Sequence, residues 1–341
     1  MPHLRSFVRR VLAAILYYSG LLWLLAELRL RGKAPVLMYH RVLPAGADTF
    51  SHYGIIISPE SFALQMRFLK RHFRLLTPEQ FGAELTGPGF GRRSCLITFD
   101  DGWQDNHRHA LPVLKQHEIP AVVFVATAFV GTSNTFWQER LTRLLFMASR
   151  STSFGNDVLK ELDALDSRSM DDAAAEYRLR NLVTTLKLRE PMIKERLIQR
   201  LEADAKRTGL DAVDLGEDRF LSWDEVRDLR NSGLVTVGSH AHTHTPLPTL
   251  GYAGAKIEFA RSQQELRDHG IPPTSICAYP NGNVDDAVAA AARDAGIKLG
   301  FATGHGRVSN GDDPLRLRRI NVHDRSSATR AEFLCLILGV L

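Results

Sequence analysis

The octapeptide CLITFDDG occupies residues 95–102. Its apolar and β-branched residues run directly into two carboxylates and a glycine, which is the pattern of a buried strand that ends in a turn. Similar short runs occur at 35–39, 121–126, 234–238, 276–279 and 298–302, with a last one near 315–322. Helical stretches alternate with these runs, so the sequence predicts βα repeats around a parallel sheet. Seven such strands favour a closed or nearly closed barrel of the α/β class over an open Rossmann sheet.

Five helices are predicted between the strands, and several carry start signals. Ser58 precedes Pro59, and Ser222 precedes Asp224 and Glu225, which are patterns of helix N-termini. The predicted helices span residues 59–72, 106–117, 223–231, 252–269 and 284–295. No G-x-G-x-x-G motif follows the first strand, so dinucleotide binding has no support.

The composition is that of a globular protein. The 341 residues are 44% hydrophobic and 24% charged, which excludes a disordered tail, a collagen-like repeat and a polytopic membrane protein as descriptions of the whole chain. Three cysteines, far apart and odd in number, support neither a disulfide framework nor a zinc ribbon. The net charge of +5 permits an anionic membrane or polymer as a neighbour. It is too diffuse to indicate nucleic acid, and no nucleic-acid partner is expected.

The N-terminal segment is predicted to be directed to a membrane. Residues 11–26 read VLAAILYYSGLLWLLA, with arginines on both sides, but these sixteen residues fall short of the ~20 that span a bilayer core. We expect residues 1–33 to form an apolar helix that associates with the membrane surface through residues 11–26, with the cytoplasmic face favoured and the side left open. A helix packed on the protein's own core and a short or tilted span are the alternatives. A signal peptide is disfavoured because no small-x-small cleavage site follows.

Residues 34–341 are predicted to form one barrel domain with a helical insertion at about 140–220. This interval contains no convincing strand and reads as charged amphipathic helices. Its mixed charges are more typical of a solvated helix face than of a binding surface. The length of the chain therefore does not indicate a second catalytic domain.

Polar residues cluster where two of the predicted strands end. Asp100 and Asp101 are adjacent carboxylates, and like charges this close raise one pKa unless a positive charge lies beside them. A divalent cation would supply that charge, whereas a helix-capping aspartate before a turn glycine is the alternative interpretation. His240 and His244 are four residues apart, a spacing that brings two imidazoles to one side of a turn. Imidazoles with a carboxylate favour zinc or another first-row divalent ion over calcium or magnesium.

Three further polar residues are predicted at the same rim. His40 follows the first strand, and Arg319 and His323 lie at the last one. Sites in α/β barrels are built at the carboxyl ends of the strands. We therefore expect His40 and Arg319 to converge with the aspartate pair and with His240 and His244.

The TFDDG motif and the His-x-x-x-His motif together resemble those of polysaccharide deacetylases of the NodB-homology type, carbohydrate esterase family 4. The resemblance covers about residue 34 to the C-terminus, interrupted by the helical insertion, and the AYPNG segment is similar to the exopolysaccharide and poly-N-acetylglucosamine deacetylase branch. It implies a distorted (β/α) barrel and a divalent metal, zinc before cobalt, nickel or manganese. It assigns Asp101, His240 and His244 as metal ligands and Asp100 as the catalytic base. His242 receives no role from the family.

Two positions depart from the family pattern. The arginine that usually precedes the proline of the third motif is replaced by Ala278, and Arg319 is our candidate for the missing cation that orients the base. The usual C-terminal Leu-His-Asp is only partly present, around His323. In the permuted branch of the family an N-terminal Tyr-His supplies the general acid, so we prefer His40 as the acid and keep His323 as the alternative.

The resemblance implies a metal-dependent hydrolase that removes N-acetyl groups from N-acetylhexosamine units of an exopolysaccharide or cell-surface glycan. Its expected partners are an acetylated amino-sugar polymer or lipid-linked oligosaccharide, and the membrane surface. An O-deacetylase or another C–N amide hydrolase on the same metal site is one alternative. A catalytically idle glycan-binding scaffold at the membrane is another, although such a module would need no base beside its metal.

Overall fold

The computed structural model describes residues 2–151, 153–162, 170–186, 191–209 and 216–340. The chain divides into two compact units. We call residues 1–45, 54–132 and 220–341 the barrel unit, and residues 46–53 and 133–219 the helical unit. Nothing in the sequence pointed to residues 46–53 as part of the helical unit. Parts of the predicted insertion, at 163–169, 187–190 and 210–215, lie outside the described residues.

The described strands all belong to the barrel unit. They are β1 (Lys33–Ala34), β2 (Val36–Tyr39), β3 (Arg41–Val42), β4 (Ile56–Ile57), β5 (Arg74–Leu75), β6 (Ser94–Phe99), β7 (Ala121–Val125), β8 (Val235–Ser239), β9 (Ile276–Ala278), β10 (Leu299–Phe301), β11 (Val308–Ser309) and β12 (Ile320–Asn321). Seven of them follow one another in a sheet in the order β10-β9-β8-β7-β6-β2-β12, with every neighbouring pair parallel, and β5 joins the same sheet beside β6 outside this path. This curled half-barrel confirms the predicted α/β class and its seven parallel strands.

One short stretch of chain connects the two edges of the sheet. Leu317 pairs with Phe301 at the end of β10, and Ile320 pairs with Leu37 in β2. Residues 317–321 therefore run from one edge to the other. Arg319 lies between these two pairings and is only 1% exposed.

Both faces of the sheet are buried, which explains why its strands read as continuous apolar runs. In β6, Cys95, Ile97 and Phe99 belong to the large core cluster, whereas Leu96 belongs to a second cluster on the opposite face. Side chains alternate along a strand, so the residues after Leu96 that share its face are Thr98 and then Asp100. The alternation thereby aims the Asp100 carboxylate at the inner face of the half-barrel.

The described helices are longer and more numerous than the strands. In the barrel unit they are α1 (Pro2–Tyr18), α2 (Leu21–Arg29), α3 (Pro59–His72), α4 (Pro78–Thr86), α5 (Leu111–His117), α10 (Trp223–Asn231), α11 (Gly251–Asp268), α12 (Asp286–Asp294), α13 (Asp324–Ser327) and α14 (Arg330–Leu338). In the helical unit they are α6 (Trp137–Ser149), α7 (Asn156–Glu161), α8 (Asp172–Leu186) and α9 (Pro191–Arg207). The five helices predicted from the sequence are present, except that residues 106–110 form a π-helical turn ahead of α5.

The predicted start signals act as caps. The Ser58 side chain accepts a hydrogen bond from Ser61 N at the start of α3, and Pro59 occupies the first turn. Ser222 and Glu225 form a reciprocal capping box at the start of α10. Each cap satisfies backbone N–H groups that the first helical turn leaves without a partner.

The N-terminal helices pack on the C-terminal part of the barrel unit. Ala13, Leu22 and Ala26 are buried in the large core cluster, which also contains residues of α14. Within the described residues no single helix has the length and apolar character needed to cross a membrane. Helices 7–18 and 21–29, which meet at an 82° bend, satisfy that requirement only as a pair.

Candidate active site

The predicted site residues come from three strand ends and from the connecting stretch between the sheet edges. His40 follows β2, Asp100 and Asp101 follow β6, and His240 follows β8. Backbone pairing continues just past the strands, because Asp100 N donates to Tyr39 O and His240 N donates to Val125 O, both at 2.9 Å. The parallel sheet therefore holds these side chains in register at one rim.

Asp101 and the two histidines of the His-x-x-x-His motif form a compact cluster. The Asp101 Oδ1 atom lies 3.3 Å from Nε2 of His240 and 3.3 Å from Nε2 of His244. Asp101 and His240 are buried, and the His244 side chain is 12% exposed. Burial alone would raise the pKa of Asp101, but the two imidazoles beside it hold this pKa well below its usual range.

Two neighbouring groups orient the members of this cluster. The Nδ1 atom of His240 lies 2.9 Å from the carbonyl oxygen of Ala278, so Nδ1–H can donate there and leave the Nε2 lone pair directed at the cluster. The indole Nε1–H of Trp103 donates to the second carboxylate oxygen of Asp101 at 2.9 Å. Ala278, which stands where the family has an arginine, thus contributes through its backbone.

Asp100 lies beside the cluster in a separate ion pair with Arg319. Nη1 and Nη2 of Arg319 donate to Oδ1 and Oδ2 of Asp100 at 2.6 and 2.7 Å, and both side chains are buried. Burial opposes ionisation, but the Arg319 charge keeps the pKa of Asp100 below its ordinary value. Arg319 is itself held by the Ala302 carbonyl, 3.0 Å from Nε, and by the Thr98 hydroxyl.

His40 completes the group. Its Nε2 lies 4.0 Å from Oδ2 of Asp100, and its side chain is 14% exposed. Burial lowers the pKa of His40, and the negative charges of Asp101 and Asp100 only partly oppose that shift. The structure therefore brings together His40, Asp100 and Arg319 next to the cluster of Asp101 with its two histidines.

The remaining two histidines of the sequence analysis have different surroundings. His242 Nδ1 lies 3.0 Å from the Thr127 hydroxyl, so this side chain is bonded to the turn after β7. His323 directly precedes α13, and its carbonyl accepts hydrogen bonds from Ser326 and Ser327. Asp100 forms its ion pairs with Arg319 and with His40.

The turn that carries the two clustered histidines is held by a residue that the sequence analysis missed. Glu258 in α11 is 7% exposed, and its Oε2 accepts from the backbone N–H groups of His242 and Thr243 at 2.9 and 2.7 Å. Ala241 and His244 within this turn have φ values of 60° and 59°. Left-handed backbone at residues other than glycine costs free energy and persists only where the surroundings enforce it. Glu258 supplies part of that enforcement.

A second supporting group surrounds Trp103. The Arg41 guanidinium lies 4.1 Å from the centre of the indole ring, and Phe220 stacks against that ring at 4.3 Å. Asp105 fixes Arg41 through Nε at 2.8 Å. The sequence signal for this group was weak: TFDDG is followed at once by a tryptophan, and MYH by an arginine, yet neither pattern shows that the two side chains meet.

A family model described as polysaccharide deacetylase matches residues 88–165 and 179–300 of this chain. The chain belongs to the polysaccharide deacetylase family. Over 116 residues it is 32% identical to the poly-beta-1,6-N-acetyl-D-glucosamine N-deacetylase of Staphylococcus epidermidis, a match that covers 30% of this chain and 39% of that protein. The chain spans 39% to 44% of the length of the first two curated relatives that it matches.

Solved structures of deacetylases share the fold. IcaB from Ammonifex degensii matches with a TM-score of 0.56 and 22% identity, over 89% of this chain and 97% of that one. BC0361, a polysaccharide deacetylase from Bacillus cereus, also matches with a TM-score of 0.56, at 20% identity, over 89% of this chain and 69% of that one. The predicted family and its barrel fold are confirmed.

Deacetylases of this family depend on a metal, and the residues of this chain fit one. One carboxylate oxygen and two imidazole nitrogens lie within 4.8 Å of one another in the cluster of Asp101, His240 and His244. Zinc bonds of ~2.0–2.1 Å in tetrahedral arrangement separate neighbouring ligand atoms by about 3.3 Å, which matches the spacing of Asp101 Oδ1 from each Nε2. The Ala278 carbonyl also fixes the tautomer of His240 that a ligand requires.

Proposed function

We propose that this polysaccharide deacetylase is a metal-dependent N-deacetylase, and that it acts on N-acetylhexosamine units of an exopolysaccharide or cell-surface glycan. One observation carries the proposal. A buried carboxylate, Asp100, is clamped by Arg319 directly beside the three-residue cluster that fits a divalent ion. A site that only bound sugar would have no use for a fixed, ionised base next to a metal site.

Asp101, His240 and His244 would hold the metal, most suitably zinc, with cobalt, nickel or manganese as alternatives. When bound, such an ion polarises the acetyl carbonyl, lowers the pKa of water and stabilises the oxyanion. Hydrogen bonds from Trp103 to Asp101 and from His240 to Ala278 keep the ligand atoms directed at the ion's position. These bonds reduce the reorganisation that metal binding requires.

Asp100 is assigned the role of general base. Arg319 occupies one side of each carboxylate oxygen and leaves further lone pairs available to accept the proton of an attacking water. Because Arg319 keeps the pKa of Asp100 below its ordinary value, the base is ionised at neutral pH. Arg319 therefore acts as a positioning residue: it fixes the orientation of the Asp100 carboxylate and lowers the basicity of that carboxylate.

His40 is assigned the role of general acid. Its Nε2 is 4.0 Å from Asp100 Oδ2, so base and acid border the same space, as proton transfer to one departing sugar nitrogen requires. Burial lowers its pKa, which makes its imidazolium a stronger acid. His323 stays the alternative acid.

The substrate class rests on the family and on the named activity of relatives. Relatives at 32% identity over part of their length are poly-beta-1,6-N-acetyl-D-glucosamine N-deacetylases. Removing an acetyl group from such a polymer uncovers an amine and changes the charge of the polymer. A lipid-linked form of the same sugar is a second acceptable substrate, because the reacting acetamide is identical.

The test measures acetate release from β-1,6-linked N-acetylglucosamine oligomers, with and without a chelator. We expect activity that the chelator abolishes and added zinc restores. The Asp100→Asn variant should keep its zinc content, measured by atomic emission, while its kcat falls by about 10²–10⁴. Chelator-insensitive activity would contradict the metal proposal, and wild-type turnover in Asp100→Asn would remove Asp100 from its role.

The choice of acid is tested separately. His40→Ala should lose activity by about 10²–10⁴ in kcat at unchanged zinc content, whereas His323→Ala should stay close to wild type. The reverse order would transfer the acid role to His323. O-acetylated oligomers serve as the comparison substrate, and faster acetate release from these would replace the N-deacetylase assignment.

A further inference from the structure

The outer face of the N-terminal helix pair carries an apolar stripe. Side chains along α1 and α2 are exposed although they are large and hydrophobic: Phe7, Val8, Val11, Leu12, Ile15, Tyr18, Leu21, Leu24 and Leu28. The exposed fractions of Ile15 and Leu24 are 58% and 59%, and that of Tyr18 is 85%. Exposed apolar residues that recur along two consecutive helices mark an interaction surface, unlike single exposed apolar residues.

The inner face of the same pair is tied to the barrel unit. Leu22 and Ala26 are fully buried, and Arg10 Nε lies 3.2 Å from Glu332 Oε1 in α14. Nη1 of Arg29 donates to the carbonyl oxygen of Leu338 at 2.7 Å. The pair is therefore docked as part of the barrel unit, and a partner can reach only its outer face.

A cationic cavity lies at the elbow between the two helices. It has a volume of about 420 Å³ and is lined by Tyr17, Trp23, Arg67, Phe68, Arg71, His72 and Arg330. Arg67, Arg71 and Arg330 are exposed, and none of them has an ion pair or side-chain hydrogen bond within the described part of the chain. Burial and the charges of Arg71, Arg93 and Arg330 lower the pKa of His72.

The apolar stripe and the arginine-lined cavity together favour one class of partner. A bilayer with anionic headgroups offers apolar acyl chains and phosphates side by side, which matches an apolar stripe next to exposed arginines. Tyr17 and Trp23, at the rim of the cavity, are residue types that favour the membrane interface. We propose that the bent helix pair lies in the surface of an anionic membrane, with its apolar stripe in the acyl boundary and Arg67, Arg71 and Arg330 on lipid phosphates.

The test is flotation of the purified full chain with vesicles. Phosphatidylcholine vesicles with 30% phosphatidylglycerol should carry the protein upward, vesicles of phosphatidylcholine alone should carry much less, and 1 M salt should weaken the difference. Replacing Arg67, Arg71 and Arg330 together by glutamine should weaken partition about 100-fold, at ~1 kcal/mol for each arginine near the surface. Replacing the exposed cations Lys256, Arg261 and Lys298 by glutamine is the matched control and should change little.

The apolar contribution has its own pair of variants. Ile15→Asp should weaken partition at least about tenfold, because it removes a side chain that enters the membrane. Ile257→Asp, at a 53% exposed isoleucine on α11, should not. Circular dichroism and thermal melts show whether each variant is folded, and acetate release from soluble oligomers should be unchanged in all of them. Loss of activity alone would thus concern the proposed function and not this surface.

Several results would overturn the proposal. Equal binding to neutral and anionic vesicles, or unchanged binding of the triple arginine variant, would contradict the proposed contacts between the three arginines and lipid phosphates. Resistance of the bound protein to alkaline extraction would indicate a spanning segment instead of a surface helix pair. A dimer in solution that Ile15→Asp dissociates, without vesicle binding by the wild type, would assign the stripe to a second copy of the chain.

Discussion

Replacing Arg319 by methionine should lower the free energy of unfolding by about 3–5 kcal/mol, because it leaves a buried carboxylate without its cation. Asp100 is 3% exposed and Arg319 is 1% exposed, so water cannot replace the lost partner without local opening. The same change removes a donor from the Ala302 carbonyl and one from the Thr98 hydroxyl, at roughly 1 kcal/mol each. Methionine fills a similar volume, so cavity formation contributes little.

The double variant Asp100→Asn, Arg319→Met separates charge from packing. It removes both buried charges and keeps only the loss of the two hydrogen bonds to Ala302 and Thr98, so it should be destabilised by about 2 kcal/mol, less than Arg319→Met alone. Arg261→Met, at an exposed arginine of α11, is the matched control and should change stability by less than about 0.5 kcal/mol.

Urea unfolding followed by tryptophan fluorescence measures all three variants at neutral pH. The prediction is wrong if Arg319→Met lowers the free energy of unfolding by less than about 1 kcal/mol, or if adding Asp100→Asn lowers it further. Either outcome would mean that the Arg319–Asp100 ion pair does not contribute the free energy of unfolding expected of a buried pair.

Three further predictions concern groups around the site. Trp103→Phe removes the hydrogen bond to Asp101 but keeps the stacked ring, so zinc affinity should fall about 10- to 100-fold in competition with a chromogenic chelator; unchanged affinity would show that the indole is only packing. Glu258→Met should lower zinc affinity by a similar factor, because a thioether side chain cannot replace the carboxylate oxygen that accepts from the two backbone N–H groups, while Glu265→Met on the same helix should leave it unchanged. Gly238→Ala should destabilise the barrel by about 1–3 kcal/mol in urea, since its Cβ would lie 2.6 Å from an aromatic ring of the neighbouring strand; a stable variant would mean that the ring can move aside.

Local patterns were enough to predict most of the sheet. The strands are buried on both faces, so their apolar runs stand out between polar helices, and the predicted seven were all found. The N-terminal caps at Ser58 and Ser222 were equally readable, because a cap is a local interaction between residues three positions apart. The cluster of Asp101, His240 and His244 was predictable because each of its residues belongs to a short motif.

Positioning residues were harder to predict because they act across long separations in sequence. Glu258 bonds from a separate helix to a turn fifteen residues earlier, and its neighbours in sequence do not distinguish it from Glu265, the other glutamate of α11. Trp103 and Arg41 stack although 62 positions separate them. The assignment of residues 46–53 to the helical unit depends in the same way on contacts with distant residues.

The sequence by itself determined which chemistry this protein can carry, since two carboxylates and two imidazoles at strand ends are already present in the motifs at 98–102 and 240–244. The family resemblance implied how that chemistry is divided, and only the tertiary structure brought the partners into contact. It assigned Arg319 to Asp100 and the imidazoles to Asp101, so two adjacent like charges received two different counter-charges. The physical reason is that β6 ends at Phe99 and the backbone turns at Asp101, whose φ is 76°, so the two carboxylates meet different partners, which are contributed by segments far away in the chain.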